Sequence, residues 1–236
     1  MNKITDIEII EEINMALNEK RVPKIIHRLL LYDTEIPSAV IDTVERFEKI
    51  NADFFHVLWK EEDVRRILTP DELEMYSSYT KNIQRADFAR YIVIKHVGGI
   101  YVDLDVESNL PFMSFYNIYK SDDLFFIENE RTLEQIESSK KYRIRNNIGE
   151  SKTRIANCVL MGLKNSKNYK DILDLCSARH TLDILEPYDI IYTTGPDVVT
   201  TVINKKPLVK KISRFDSDRH FFHRCVGHWR ENNTII

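Results

Sequence analysis

The residues with the most evident chemistry are two aspartates one position apart, Asp103 and Asp105, in the stretch GGIYVDLDVES. Carboxylates held that close repel each other unless positive charge sits between or beside them. A hard divalent cation is the natural counter-charge, because Mg2+ and Mn2+ favour oxygen ligands. On its own the triplet reads more readily as two solvated acids at the end of an edge strand. The context is what makes it informative.

Residues 81–97 contain no proline or glycine, and Ile83, Ala86, Ala89, Ile92, Val93, Ile94 and Val97 recur at helical spacing. Gly98-Gly99 then stops the helix, since glycine tolerates the left-handed backbone after a helix C-terminus. Beyond it Ile100, Val102, Leu104 and Val106 alternate with Tyr101, Asp103, Asp105 and Glu107, which predicts a strand with both aspartates on one face. Asp87 and Arg90 stand three apart on the preceding helix and share a face. They could pair with each other, or bind hydroxyls and phosphate respectively.

The elements around this segment read as α/β. A leading acidic helix over 1–20 carries Ile7, Ile10, Ile13 and Leu17 on one stripe expected to pack on the domain. A buried strand is predicted at 22–31 and a helix at 38–51, with Ser38 able to cap it. A second strand follows at 54–59, then helices near 61–68 and from Thr69-Pro70 onward. Downstream come a short strand at 124–128, a polar loop over 129–151 and a strand at 155–162 with Asn157 in its middle. A helix at 166–179 and a Gly195-Pro196 turn into another helix complete the pattern. The succession is that of a Rossmann-like half, but it has no GxGxxG, so a dinucleotide cofactor is not expected. No repeat or linker divides the chain. We read 1–20 as an accessory helix and 21–236 as one domain.

Composition narrows the class. The 236 residues are 43% apolar with a formal net charge of −3, which argues against nucleic acid as the main partner. Cys158, Cys176 and Cys225 lie far apart without CxxC spacing, which suggests reduced thiols and a cytoplasmic setting. No apolar run is long enough to span a bilayer, and the glutamates of the first twenty residues exclude a signal peptide. His220, His223 and His228 near the end could supply a further metal ligand if the tail folds back to the acidic pair. Their spacing matches neither HExxH nor a zinc finger.

The stretch IQRADFARYIVIKHVGGIYVDLDV resembles the DXD signature of glycosyltransferase family 32, relatives of yeast-type mannosyltransferases and of bacterial capsule and lipopolysaccharide transferases. It is also similar to the catalytic domain of the large clostridial glucosylating toxins. VPKIIH, FHVLW, the Asn in IANCVLMG, TTGP and HRCVGHW match in order along nearly the whole chain. The resemblance implies a GT-A fold, a Rossmann-like mixed sheet flanked by helices, with a tail that closes the site. It implies a retaining hexosyltransferase that uses a nucleotide-sugar donor, UDP-linked in preference to GDP-linked, with Mn2+ or Mg2+. The acceptor would be a glycan, a lipid-linked sugar or a protein, reached from the cytoplasm or the inner face of a membrane through peripheral association.

By likeness, Asp103 would lie near the ribose and the metal, and Asp105 would bind the metal directly. Asp87, Arg90 and Asn157 would serve the donor sugar and phosphate. Tyr101, Gly195 and Trp229 would border the nucleotide. His223 would be the last metal ligand, with His228 second. Two departures stand out. Leu30-Leu31-Tyr32 replaces the usual tryptophan and glycine after the first strand, and His228 replaces a serine in the tail. Rival readings are a DxD phosphohydrolase and a non-catalytic metal- or carbohydrate-binding protein. The first expects its motif at the first strand of the domain, and an EF-type calcium loop expects glycine where Ser108 stands.

Overall fold

The computed structural model describes residues 2–32, 35–127, 154–185 and 187–224, together with residues 137 and 140. The polar loop expected over 129–151 lies, save for those two residues, outside the described part.

A six-stranded mixed sheet forms the centre, in the order β2-β1-β3-β6-β5-β7. Its strands are β1 (Ile25–Leu29), β2 (Phe55–Trp59), β3 (Gly99–Val102), β5 (Leu124–Ile127), β6 (Ile155–Gly162) and β7 (Lys210–Ile212). β1 runs parallel to β2 and β3, whereas β6 is antiparallel to both β3 and β5. A separate ribbon pairs β4 (Val106–Ser108) with β8 (Phe221–His223).

Both faces of the large sheet are covered, which is why its strands read as apolar runs. Successive residues of one strand feed different cores. Ile25, Tyr101 and Phe125 enter one cluster with the helix α5 (Asn82–Val97), while Ile26, Ile100, Val102 and Phe126 enter the other with Phe47 and Phe112. Helix α5 is buried on almost every side, carrying Asp87, Arg90 and Gln84 inward with its apolar residues. The single apolar stripe expected there is therefore replaced by a buried helix with embedded charges.

Local signals explain the flanking elements. Thr69 caps α4 (Pro70–Ser78) in a capping box with Glu72, and Pro70 opens the helix as expected. Ser38 is instead the first helical residue of α2 (Ser38–Ile50), with Pro37 at the cap position. The glycine pair needs its freedom: φ is 78° at Gly98 and 109° at Gly99, and a Cβ on Gly99 would stand 2.6 Å from His27 Nε2. The buried His27 ring ties β1 to β2 and to the end of α5 just before β3. Its Nε2 donates to Gly98 O at 2.7 Å, and its Nδ1 accepts from Trp59 Nε1 at 3.0 Å. Burial lowers its pKa to about 4, so it is neutral.

Helix α1 (Ile7–Asn18) corrects one expectation. It faces the domain with Ile9, Glu12, Ile13 and Ala16, leaving Ile7, Ile10 and Leu17 exposed. The rotation follows from Glu12, which binds Arg21 through both oxygens and accepts the Lys24 N–H at 2.6 Å. A charge with three donors on the domain outweighs the isoleucine stripe.

Candidate functional site

The two aspartates do not share a strand face. β3 ends at Val102, and residues 103–105 form a tight turn into β4, closed by Val106 N donating to Asp103 O at 3.2 Å. Asp103 N donates to Cys158 O at 2.9 Å, which anchors the turn to β6. The alternation of apolar residues ran through a turn because Leu104 and Val106 continue the pattern without continuing the ladder.

The β4–β8 ribbon supplies the third group. Val106 pairs with His223, and Arg224 N donates to Asp105 O at 3.1 Å. His223 Nε2 thereby lies 3.2 Å from Asp105 Oδ1 and 4.0 Å from Asp103 Oδ2. One ligand atom from each of Asp103, Asp105 and His223 falls within 4.8 Å of the others. Ligands around a six-coordinate ion sit about 3 Å apart, so a small contraction would close the set. Two carboxylates and one imidazole suit Mn2+ somewhat better than Mg2+. His228 and Trp229, also expected here, lie outside the described residues.

Behind this partly exposed cluster is a buried charge network. Arg90 reaches Asp87 at 3.1 Å with one terminal nitrogen and Asp103 at 3.2 Å with the other, and donates to Asn157 O at 3.0 Å. Its guanidinium lies over the Tyr101 ring, 4.9 Å from the centroid, and Tyr101 donates its hydroxyl hydrogen to Asp103 Oδ1. Asp87 accepts from Asn157 Nδ2 at 3.0 Å and from Thr194 Oγ1 at 3.1 Å. Burial raises the Asp87 pKa to about 6, with Asp103 adding repulsion and Arg90 opposing both. Asp87, Arg90, Tyr101, Asp103 and Asn157 are thus one connected unit drawn from α5, β3 and the turn after it, and β6.

Gly195 caps α9 (Pro196–Ile203), and a Cβ there would meet Ile191 Cα at 2.8 Å. The Tyr91 hydroxyl donates to Thr194 O at 2.9 Å and lies 3.5 Å from Gly195 O, so this turn borders the network through Tyr91 and Thr194. Tyr32, three residues beyond β1, is 42% exposed.

Sequence reasoning missed Thr194, Tyr91 and above all Arg28. Arg28 is 1% exposed in β1, donates from Nη1 to Leu104 O at 3.2 Å and Asp103 O at 3.4 Å, and stacks on Phe47. Burial lowers its pKa to about 10, against the attraction of Glu48, Tyr101, Asp103 and Asp105, so it stays charged at neutral pH. The signal was an arginine inside an apolar strand, which demands a reason.

The fold and this site define a class. Residues 37–124 match the family model described as "Glycosyltransferase sugar-binding region containing DXD motif". That span holds Asp87, Arg90, Asp103 and Asp105, while Asn157 and His223 lie beyond it. The fold is of the GT-A glycosyltransferase type, shared with the solved structure of the PaToxG glycosyltransferase at a TM-score of 0.54 and 16% identity, over 85% of this chain and 78% of that one. The resemblance to DXD sugar transferases read from the sequence stands, and the fold is the one expected with it.

Among particular relatives, inositol phosphoceramide mannosyltransferase 3 of Schizosaccharomyces pombe is 38% identical over 91 residues, 37% of this chain and 25% of that protein. An uncharacterized glycosyltransferase, L373, of Acanthamoeba polyphaga mimivirus is 36% identical over 115 residues, 44% of this chain and 46% of that protein. The match covers less than half the length of either relative. Among the described residues no helix is long and apolar enough to cross a membrane.

Proposed function

We propose that this protein is a metal-dependent, retaining glycosyltransferase that moves a hexose or N-acetylhexosamine from a nucleoside-diphosphate sugar to a glycan, lipid-linked or protein acceptor. The observation that carries the reading is the junction of two half-sites at Asp103. On one side stands a metal-competent trio, on the other a buried carboxylate–guanidinium network, and both halves meet within the segment that matches the DXD region.

A divalent ion held by Asp103, Asp105 and His223 would supply the charge that neutralises a departing nucleoside diphosphate. The chain's own groups do the rest. Asp87, ionised above its raised pKa, accepts hydrogen bonds from donor-sugar hydroxyls. Arg90 fixes the orientation of Asp87 and Asp103 and places positive charge beside the phosphate side. Tyr101 holds Asp103 through Oδ1, while Oδ2 accepts from Arg90 Nη1 at 3.4 Å and lies 4.0 Å from His223 Nε2. Such groups, already oriented by their neighbours, stabilise developing charge without reorganising. No side chain is assigned as nucleophile, so the acceptor attacks from the face the leaving group departs, with the diphosphate taking its proton.

A UDP-sugar is the first donor choice from the sequence, with GDP-linked donors second. The fungal relatives are named for mannosyl transfer to a ceramide lipid, so mannose and a lipid-linked acceptor belong in the first round of tests. The sparse cysteines suggest action from the cytoplasmic side. Donor hydrolysis is measured across UDP- and GDP-sugars with Mn2+, comparing the wild type with Asp105→Ala. Turnover of one donor class that vanishes in the variant supports the reading. Absence of turnover with every donor, or equal turnover by the variant, overturns it.

A further inference from the structure

Arg28 is a buried cation whose charge is not neutralised by direct contact. Its Nη1 bonds only to backbone carbonyls, those of Asp103 and Leu104 in the turn between the two metal-competent aspartates. Its Nε and Nη2 are buried and have no hydrogen-bond partner among the described residues. No carboxylate among the described residues comes within ion-pair distance of it, so its full charge is left to act on the acids around it. Glu48 feels that charge most, with Tyr101, Asp103 and Asp105 after it, and the medium between is protein rather than water, since Arg28 is 1% exposed and packed on Phe47. In such surroundings a unit charge acts with several times the strength it would have in water.

From this we infer that Arg28 is a positioning residue that sets how tightly the acidic pair holds a divalent cation. The inference rests on the metal-site reading above and extends it to a residue outside the ligand set. Arg28 does two things through one guanidinium. Its hydrogen bonds fix the turn that presents both carboxylates. Its charge offsets part of theirs, so the pair attracts a cation less strongly than two bare carboxylates and an imidazole would.

The sign of the effect separates this from a purely structural role. Losing a structural support loosens the turn and weakens metal binding. Losing a built-in counter-charge strengthens it. The measurement is Mn2+ binding to the full chain without donor, followed by the electron paramagnetic resonance signal of free Mn2+, for wild type, Arg28→Gln and Arg28→Lys. Glutamine keeps an N–H for the carbonyls but removes the charge, and lysine keeps the charge.

We expect Arg28→Gln to bind Mn2+ at least about fivefold tighter, the least that one unit charge in a partly desolvated site should contribute. Arg28→Lys should stay within about twofold of wild type. Unchanged or weaker binding by a natively folded Arg28→Gln overturns the inference. Should Arg28→Gln fail to fold, Arg28→Lys decides, since a change beyond twofold in either direction overturns it. Binding by the wild type without tightening in Arg28→Gln sinks this inference alone. Absence of binding in wild type and variants alike sinks the metal-site reading with it.

Discussion

The two halves of the site are built differently. On the inner side the Asp87 and Arg90 side chains are each 6% exposed, and their partners come from the turn after β3 (Asp103), from β6 (Asn157) and from the turn before α9 (Thr194). On the outer side Asp105 and His223 are 17% and 29% exposed, and the histidine is delivered by a ribbon of three residue pairs. Asp103, at 21%, belongs to both. The inner half is paired, oriented and costly to disturb. The outer half gathers acidic charge at low structural cost and can contract around a ligand. A transferase that must hold a sugar in one pose yet release its diphosphate benefits from that division.

The comparison is broken most severely at its outer edge. Asp105→Ala should abolish Mn2+ binding and cut donor turnover by about a thousandfold, at the upper end of what losing one group that stabilises transition-state charge costs. Its stability should be unchanged or slightly raised, because one of two repelling carboxylates is gone. Arg90→Met probes the inner half and should show the reverse weighting. Removing the cation leaves Asp87 and Asp103 facing each other with Asp87 buried, a loss of about 3–5 kcal/mol. Urea unfolding of the two variants side by side checks this. Equal stability losses would mean that the halves are not built differently.

A pH series sharpens the same contrast. Asp87 has a folded-state pKa of about 6, raised from the 3.8 it would have unfolded. A raised carboxyl pKa contributes stability that is full below the unfolded value and lost as pH rises through the folded one. The window is therefore roughly pH 4 to 6, and the contribution is at most about 3 kcal/mol. Asp87→Asn should flatten that part of the stability profile, whereas Asp105→Ala should leave it in place. Donor binding should move the other way, gained as Asp87 ionises and therefore weakening below pH 6. An Asp87→Asn profile that still slopes across that window would show that another group titrates there.

How much of this was legible follows the same division. The helix before the glycines, the first strands and the strand carrying Asn157 were readable because apolar spacing and turn residues agree there. Helical spacing put Asp87 and Arg90 on one face and offered their pairing as one of two readings. What failed was the turn at 103–105, since a period-two pattern cannot distinguish a strand from a turn flanked by two strands. The rotation of α1 failed for a different reason: Glu12 finds its partners, Arg21 and Lys24, only once the chain folds back on itself. Arg28 was passed over inside an apolar run although a buried guanidinium is the more informative observation. His223 was selected by resemblance, and only the β4–β8 register gives it a physical reason to stand beside Asp105.

The smallest expected effect concerns that register. His223→Ala should weaken Mn2+ binding by about ten- to hundredfold, less than loss of a carboxylate, because the neutral imidazole contributes a ligand but no charge. Stability should change little, since the side chain is partly exposed and the ribbon is held by backbone pairing with β4. Phe221→Ala separates ligand from scaffold. This residue is buried at 1% exposure against Phe112 and Phe126, so its loss should loosen the whole ribbon and cost about 3 kcal/mol. If the ribbon's rigidity positions His223, Phe221→Ala should lower Mn2+ affinity nearly as far as His223→Ala does, and the double variant should fall little further. Additive losses in the double variant would instead show that His223 reaches the metal without help from the ribbon, and that the outer half is more adaptable than its strand pairing suggests.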